Sequence, residues 1–143
     1  MIALCRMVLP GMHERGFGRI IALTSTVARE PDEGMALSSL ARAGVLAYAK
    51  TLSREVACHG VTVNCILTGS VLTDRTQELL DHEAASMGVD PASFLEEAAA
   101  AVPTRTISSP ASFAHAVVFL ASPLASEING VNLPIDGGFM RAL

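Results

Sequence analysis

Few of the features that announce a function on their own occur in this sequence. Only 17% of its 143 residues are charged and 4% are aromatic, and the formal charge of −4 is not interrupted by a basic stripe. That excludes the electrostatic footprint of a nucleic-acid-binding or anionic-membrane-binding protein. No apolar run is long enough to span a bilayer, because Arg6 sits in the first and His59, Gly60 and Asn64 break the middle one. The first twelve residues have no basic region ahead of their apolar stretch and no cleavage site, so they do not read as a signal peptide, and a cytoplasmic setting is expected. Cysteine is sparse: Cys5, Cys58 and Cys65 are odd in number, lack C-x-x-C spacing and lie in apolar surroundings. They predict reduced core thiols, not a disulfide framework or a zinc site. His13, His59, His82 and His115 are scattered without partners at metal-ligand spacing, so no metal is expected. Glu96-Glu97 and Asp81-His82-Glu83 read as solvated helix faces. There is no G-x-S-x-G elbow to make a hydrolase nucleophile of Ser25 or Ser38.

What is present is hydrophobic and periodic. Half of the residues are hydrophobic, which rules out disorder and suits buried strands between alanine-rich helices. The length accommodates one domain, residues 1–143, with a real core, but is short for a complete doubly wound sheet. Helical and strand periods alternate, the signature of βαβ units and a parallel sheet. A helix is expected over 2–14, interrupted near Pro10 and Gly11 and stopped by the glycines at 16–18. The continuous apolar run Ile20 to Leu23 predicts a strand covered on both faces. The longest helix is expected over 35–58, with Leu37, Leu40, Ala41, Gly44, Val45, Tyr48, Leu52 and Val56 as its apolar stripe. A second strand follows at Val61 to Leu67. Residues 73–102 are polar, helical and broken between Gly88 and Pro91, with no strong reason for tight burial, and read as a mobile lid. Pro110 opens a further helix striped by Phe113, Ala116, Val117 and Leu120. A last strand, 131–135, carries Pro134, which argues for an edge position.

Several motifs coincide in order. They are Leu9-Pro10-Gly11-Met12 with Gly18-Arg19-Ile20-Ile21; Arg42-Ala43-Gly44-Val45 with Lys50-Thr51-Leu52 and Arg54-Glu55; Val63-Asn64-Cys65-Ile66 leading to Gly69 and Thr73; Phe119-Leu120-Ala121-Ser122-Pro123; and Asn129-Gly130 leading to Asp136-Gly137-Gly138. Together they resemble the short-chain dehydrogenase/reductase family, particularly its 3-oxoacyl-carrier-protein-reductase-like members. The resemblance implies an α/β, partial Rossmann-like, doubly wound parallel sheet, of which this chain is a truncated form holding the last three of seven strands with their flanking helices. It also implies NAD or NADP as cofactor. The glycine-rich turn that holds the cofactor pyrophosphate in that family has no counterpart here, so binding by this chain alone is not expected. The position of the family's catalytic asparagine lies just before Met1.

The chemistry implied is hydride transfer between a nicotinamide and a small-molecule carbonyl substrate, with a tyrosine as proton donor, a lysine four residues later and a serine orienting the carbonyl. Matched position by position, the serine is Ser25, but the tyrosine position holds Ser38 and the lysine position Arg42. An alkyl hydroxyl is a far weaker acid than a phenol, and a guanidinium with a pKa above about 12 does not shuttle protons. Tyr48, ten residues beyond Ser38, lies roughly 15 Å further along the helix and about 80° round it, so it cannot stand in. In the loop after the second strand the family's Pro-Gly is Thr68-Gly69, and the resemblance implies that Thr68, Gly69, Val71 and Thr73 meet the nicotinamide carboxamide. An ordinary strand-to-helix turn is the competing reading. Two functions stay open: an oxidoreductase inactive as this chain alone, or a non-catalytic protein that associates as a homo-oligomer through helices 35–58 and 110–121. A parent enzyme with a different proton donor is a third possibility.

Overall fold

The computed structural model describes residues 1–142. Among them the regular elements are α1 (Ile2–Glu14), β1 (Gly18–Leu23), α2 (Ala36–Val56), β2 (Val61–Thr68), α3 (Asp74–Met87), α4 (Pro91–Ala100), α5 (Pro110–Ala121) and β3 (Asn132–Ile135), with short 3-10 turns at Thr26–Ala28, Ala57–His59 and Pro123–Ala125. The strands form one parallel sheet in the order β1-β2-β3, with Gly18 opposite Val61 and Cys65 opposite Asn132. This is the α/β architecture expected from the alternation of periods.

β2 is the centre of the molecule, and all of its residues but the last are buried. Val61, Val63, Cys65 and Leu67 pack with Cys5 of α1 and with Leu46, Ala49, Leu52 and Val56 of α2. Ile66 joins Leu120 of α5, Ala125, Ile21 and Leu133 in a second cluster. A strand flanked on both sides by other strands and on both faces by helices has no use for alternating polarity, which explains its near-continuous apolar run. Thr62 and Asn64 are the exceptions, and of the two only Asn64 has its side chain partnered among the described residues. Its side-chain amide donates to the Ile128 carbonyl at 2.8 Å and its oxygen accepts from the Val131 amide at 3.1 Å. Asn129 accepts from the Val63 amide and donates to the Ser53 carbonyl, both at 2.9 Å. The approach to β3 is thus held by two side-chain amides, that of Asn64 buried and that of Asn129 half-buried.

The structure corrects several expectations. α1 runs unbroken through Pro10; the proline is exposed, and packing of Cys5, Leu9 and Met12 against the sheet core offsets the one helix bond it removes. The buried face of α2 is Ser39, Leu46, Ala49, Leu52, Ser53 and Val56, whereas Leu37 and Leu40 are 83% and 72% exposed. Ser39, between them, is buried, so Leu37 and Leu40 lie on the face of α2 turned away from the core. Cys58 is exposed, unlike Cys5 and Cys65, because it falls in the 3-10 turn that carries the chain from α2 to β2. The α3–α4 arm is less loose than its polarity suggests: Ala84 and Val102 are buried. His13 and His59, far apart in the sequence, stack as packing residues, with ring centroids 4.0 Å apart. The last strand starts one residue later than expected, although Val131 still accepts from the Cys65 amide. Pro134 does lie on an edge strand. Among the described residues no helix is long and apolar enough to cross a membrane.

Candidate functional site

The carboxyl ends of all three strands converge on one pocket, the position at which open α/β sheets bind ligands. Its volume is ≈ 240 Å³, and its wall includes Ser25 after β1, Thr68, Gly69 and Ser70 at the end of β2, Asp136 after β3, and Val102 from the segment beyond α4. Each is placed by local chemistry. Thr24 is anchored by its hydroxyl to the Ile66 carbonyl at 3.1 Å and by its amide to the same oxygen at 2.8 Å, which fixes where the chain leaves β1. Ser25 then caps the 3-10 turn, accepting from the Val27 amide at 3.4 Å. That contact is long and uses only an acceptor lone pair, so the hydroxyl proton is available to a ligand.

Gly69 is required by close approach: a Cβ there would sit 2.7 Å from Cα of Asp136. The Asp136 carboxylate accepts from the amides of Gly138 and Met140, each at 2.9 Å, and so closes the turn after β3. It is structural first. Ser70, Asp136, Val102 and Phe139 are pocket residues that sequence reasoning missed. The Asp136-Gly137-Gly138 motif signalled Asp136 alone, and as the end of a strand, not as a wall.

The other residues singled out from the sequence divide. Val71 and Thr73 do not line the pocket. Val71 forms an isolated parallel bridge with Ser108, and the Leu72 amide donates to the Ser108 carbonyl at 2.8 Å, which ties the loop to the entry of α5. Thr73 is the N-cap of α3, accepting from the Thr76 amide at 3.3 Å. Its hydroxyl also meets the Thr76 hydroxyl at 3.0 Å. The amides of Ser70 and Val71, by contrast, have no acceptor among the described residues. Two free backbone N–H groups beside a hydroxyl-lined pocket suit the oxygen of a carboxamide. A volume of ≈ 240 Å³ admits a nicotinamide-sized ring but not a whole dinucleotide.

Ser38 and Arg42 lie on the first turns of α2, outside the pocket wall. They are four residues apart on one helix face and meet each other: Arg42 Nε donates to Ser38 Oγ at 3.0 Å. Tyr48 is remote from the pocket, and its phenol is raised above its ordinary value, first by burial and then by Cys5, so it is a weaker acid than a free tyrosine. Among the described residues no group of three or more His, Cys, Asp or Glu could hold a metal ion.

Comparison with known proteins fits this geometry. A family model described as enoyl-(acyl carrier protein) reductase matches residues 1–140. The chain is 38% identical over 135 residues to a 3-oxoacyl-[acyl-carrier-protein] reductase of Vibrio cholerae, covering 94% of this chain and 51% of that protein. It is 30% identical over 132 residues to the NADPH-dependent reductase BacG of Bacillus subtilis, covering 92% and 51%. Among solved structures, L-sorbose reductase from Gluconobacter frateurii, complexed with NADPH and L-sorbose, superposes with a TM-score of 0.93 at 31% identity, over 99% of this chain and 54% of that one. The chain spans about half the length of the curated relatives it matches.

Proposed function

The chain belongs to the short-chain dehydrogenase/reductase family, and on that premise we propose that its residues form the substrate-side half of an NAD(P)-dependent oxidoreductase fold and do not catalyse hydride transfer on their own. The carrying observation is the hydrogen bond between Arg42 and Ser38. At the two positions where the family pattern has a phenol beside an ammonium, this chain has an alkyl hydroxyl occupied by a guanidinium. Neither group gives up a proton near neutral pH.

The remaining groups keep a binding role. Ser25, with its free hydroxyl proton, is proposed to orient the oxygen of a small carbonyl substrate. Thr68, Gly69 and the free N–H of Val71 are proposed to meet the carboxamide of NAD or NADP, with Thr73 fixing the start of α3 behind them. The bound cofactor would supply the hydride. No G-x-x-x-G-x-G turn for its pyrophosphate occurs in the sequence, so this chain is expected to hold the nicotinamide end weakly at best. Its three cysteines are free, which suits the cytoplasmic setting proposed for it. The test is a fluorescence titration of NADPH and NADH with the chain, followed by assay of their oxidation with ketoacyl or quinone substrates. No saturable binding and no turnover are expected; clear saturation would overturn the reading.

A second, non-catalytic reading is favoured by one feature. Leu37 and Leu40 of α2 and Val118 and Phe119 of α5 are large, apolar and exposed, the last two at 67% and 44%. Association into a homo-oligomer through α2 and α5 would cover them. Loss of a higher-mass species on Leu37→Glu in sedimentation would support it.

A further inference from the structure

A second polar cavity lies at the other end of the sheet. On β2 the even-numbered side chains face α5, where Ile66 packs with Leu120 and Asn64 reaches the Ile128 carbonyl. Thr62 is on the same face, and its partner across the parallel ladder is Arg19 of β1. Over this pair is a pocket of ≈ 260 Å³, with Arg19, Gly60, Thr62, Ser126, Glu127 and Asn129 in its wall. It sits above the middle strand, between the turn that enters β2 and the loop that enters β3. Along β2 it is roughly 20 Å from Thr68 in the wall of the carboxyl-end pocket.

The groups left over around this cavity are donors. Thr62 is only 5% exposed, and its Oγ1 is buried without a partner among the described residues. A hydroxyl enclosed in this way is costly to leave unpaired. No hydrogen bond holds it in its resting rotamer, and one step about χ1 exchanges the positions of hydroxyl and methyl. The Arg19 guanidinium donates through Nη1 to the Gly18 and Gly60 carbonyls, at 2.9 and 3.2 Å, and through Nε to the Ser122 carbonyl at 3.3 Å. Those three bonds fix its plane and leave Nη2 without an acceptor among the described residues. The amides of Glu127 and Asn129 have none either. Acceptors in the wall are already engaged: Asn129 Oδ1 receives the Val63 amide at 2.9 Å, and the Gly60 carbonyl receives Arg19. The acidic side chain present, Glu127, is exposed, where solvent and salt screen it.

We propose that this pocket binds a small oxyanion, the phosphate or carboxylate group of a metabolite, held by Arg19 Nη2 and the Thr62 hydroxyl. An oxyanion offers several acceptor lone pairs at one point, which matches a set of unpaired donors; an ammonium or other donor group would meet them with nothing to accept their hydrogens. Both side chains stand on paired strands, so little ordering is required when the ligand arrives. The site shares no residue with the carboxyl-end pocket. It is independent of the reductase reading, since its test requires neither cofactor nor turnover.

Inorganic phosphate and acetate, titrated separately into the isotope-labelled chain at fixed ionic strength and followed by NMR, test it. Saturable shifts are expected at the amides of Thr62, Glu127 and Asn129 and not at those of Ser70 and Val71. Earlier saturation by phosphate marks a phosphate ester as the group recognised, and earlier saturation by acetate a carboxylate. Thr62→Val puts a methyl in place of the hydroxyl and is expected to weaken binding about tenfold without lowering the unfolding temperature. Glu127→Gln, at an exposed position, removes the nearby negative charge and is expected to tighten binding about threefold. No saturation by either anion at tens of millimolar overturns the proposal and leaves water as the occupant. Binding that Thr62→Val leaves unchanged also overturns it, as an adventitious ion only. If Thr62→Val fails to fold by circular dichroism, Glu127→Gln decides, and binding that it does not tighten overturns the proposal.

Discussion

The two ends of the sheet are built on opposite principles. At the amino end most polar groups are used by the chain itself: Gly60 brings its turn against the Gly16 carbonyl, Arg19 spans the Ser122, Gly18 and Gly60 carbonyls, and Asn64 with Asn129 pins the approach to β3, although His13 Nε2 and Thr62 Oγ1 are buried without a partner among the described residues. At the carboxyl end they are left over. Among the described residues the Ser25 hydroxyl has one long contact, and the amides of Ser70 and Val71 have none. Half-exposed polar groups that the fold leaves to water are the ones a ligand can take up, so the more closed end, Thr62 apart, reads as scaffold and the open end as site. Substitutions should respect the division, with large losses of stability below and small ones above.

The largest loss is expected at Gly60. Its φ of +70° lies in the left-handed region, and a Cβ would strike the Gly16 carbonyl. Gly60→Val should cost at least about 3 kcal/mol in urea denaturation; a cost below about 1 kcal/mol would mean that the two turns can separate. Asn64→Leu comes next. It keeps volume but strands the Ile128 carbonyl and the Val131 amide in the interior, for about 2–3 kcal/mol by the same measurement.

Cys65 probes the closed core by pH. Burial pushes its thiol up to about 11, above the unfolded value of about 8.5. The neutral thiol is thus favoured by folding, and its contribution is complete below about pH 8.5. Above that the unfolded chain loses its proton first, so stability falls as pH rises toward 11, by about 3 kcal/mol in all. Cys65→Ala should lack this slope relative to the parent. At pH 8 a thiol reagent should modify Cys58 promptly and spare Cys65.

How much of this was legible beforehand follows from the range of each interaction. β2 and the face of α5 were readable because their burial is periodic over several residues. The unbroken path of α1 through Pro10 and the exposed Leu37 and Leu40 were not, since they depend on where the neighbouring elements stop. In the site, Ser25, Thr68 and Gly69 were found because they follow strand ends in the chain. Phe139 and Val102 reach the pocket from segments remote in sequence, and no local pattern marks them. The meeting of Ser38 with Arg42 was implicit in their four-residue spacing, yet their distance from the pocket wall was not.

The smallest expected effect is at the open end, and it tests the division most directly. Ser25→Ala removes an N-cap contact of 3.4 Å on a three-residue turn, against a typical cap worth about 1 kcal/mol in a full helix. The stability change should stay below about 0.5 kcal/mol. Ser38→Ala, which frees Arg42 on a half-exposed face, should be equally mild. A residue that can be removed so cheaply, beside wall residues such as Gly69 and Asp136 that the fold does require, serves something other than stability. If Ser25→Ala instead cost as much as Asn64→Leu, its hydroxyl would be part of the scaffold, and the open end would lose its best-placed ligand-facing group.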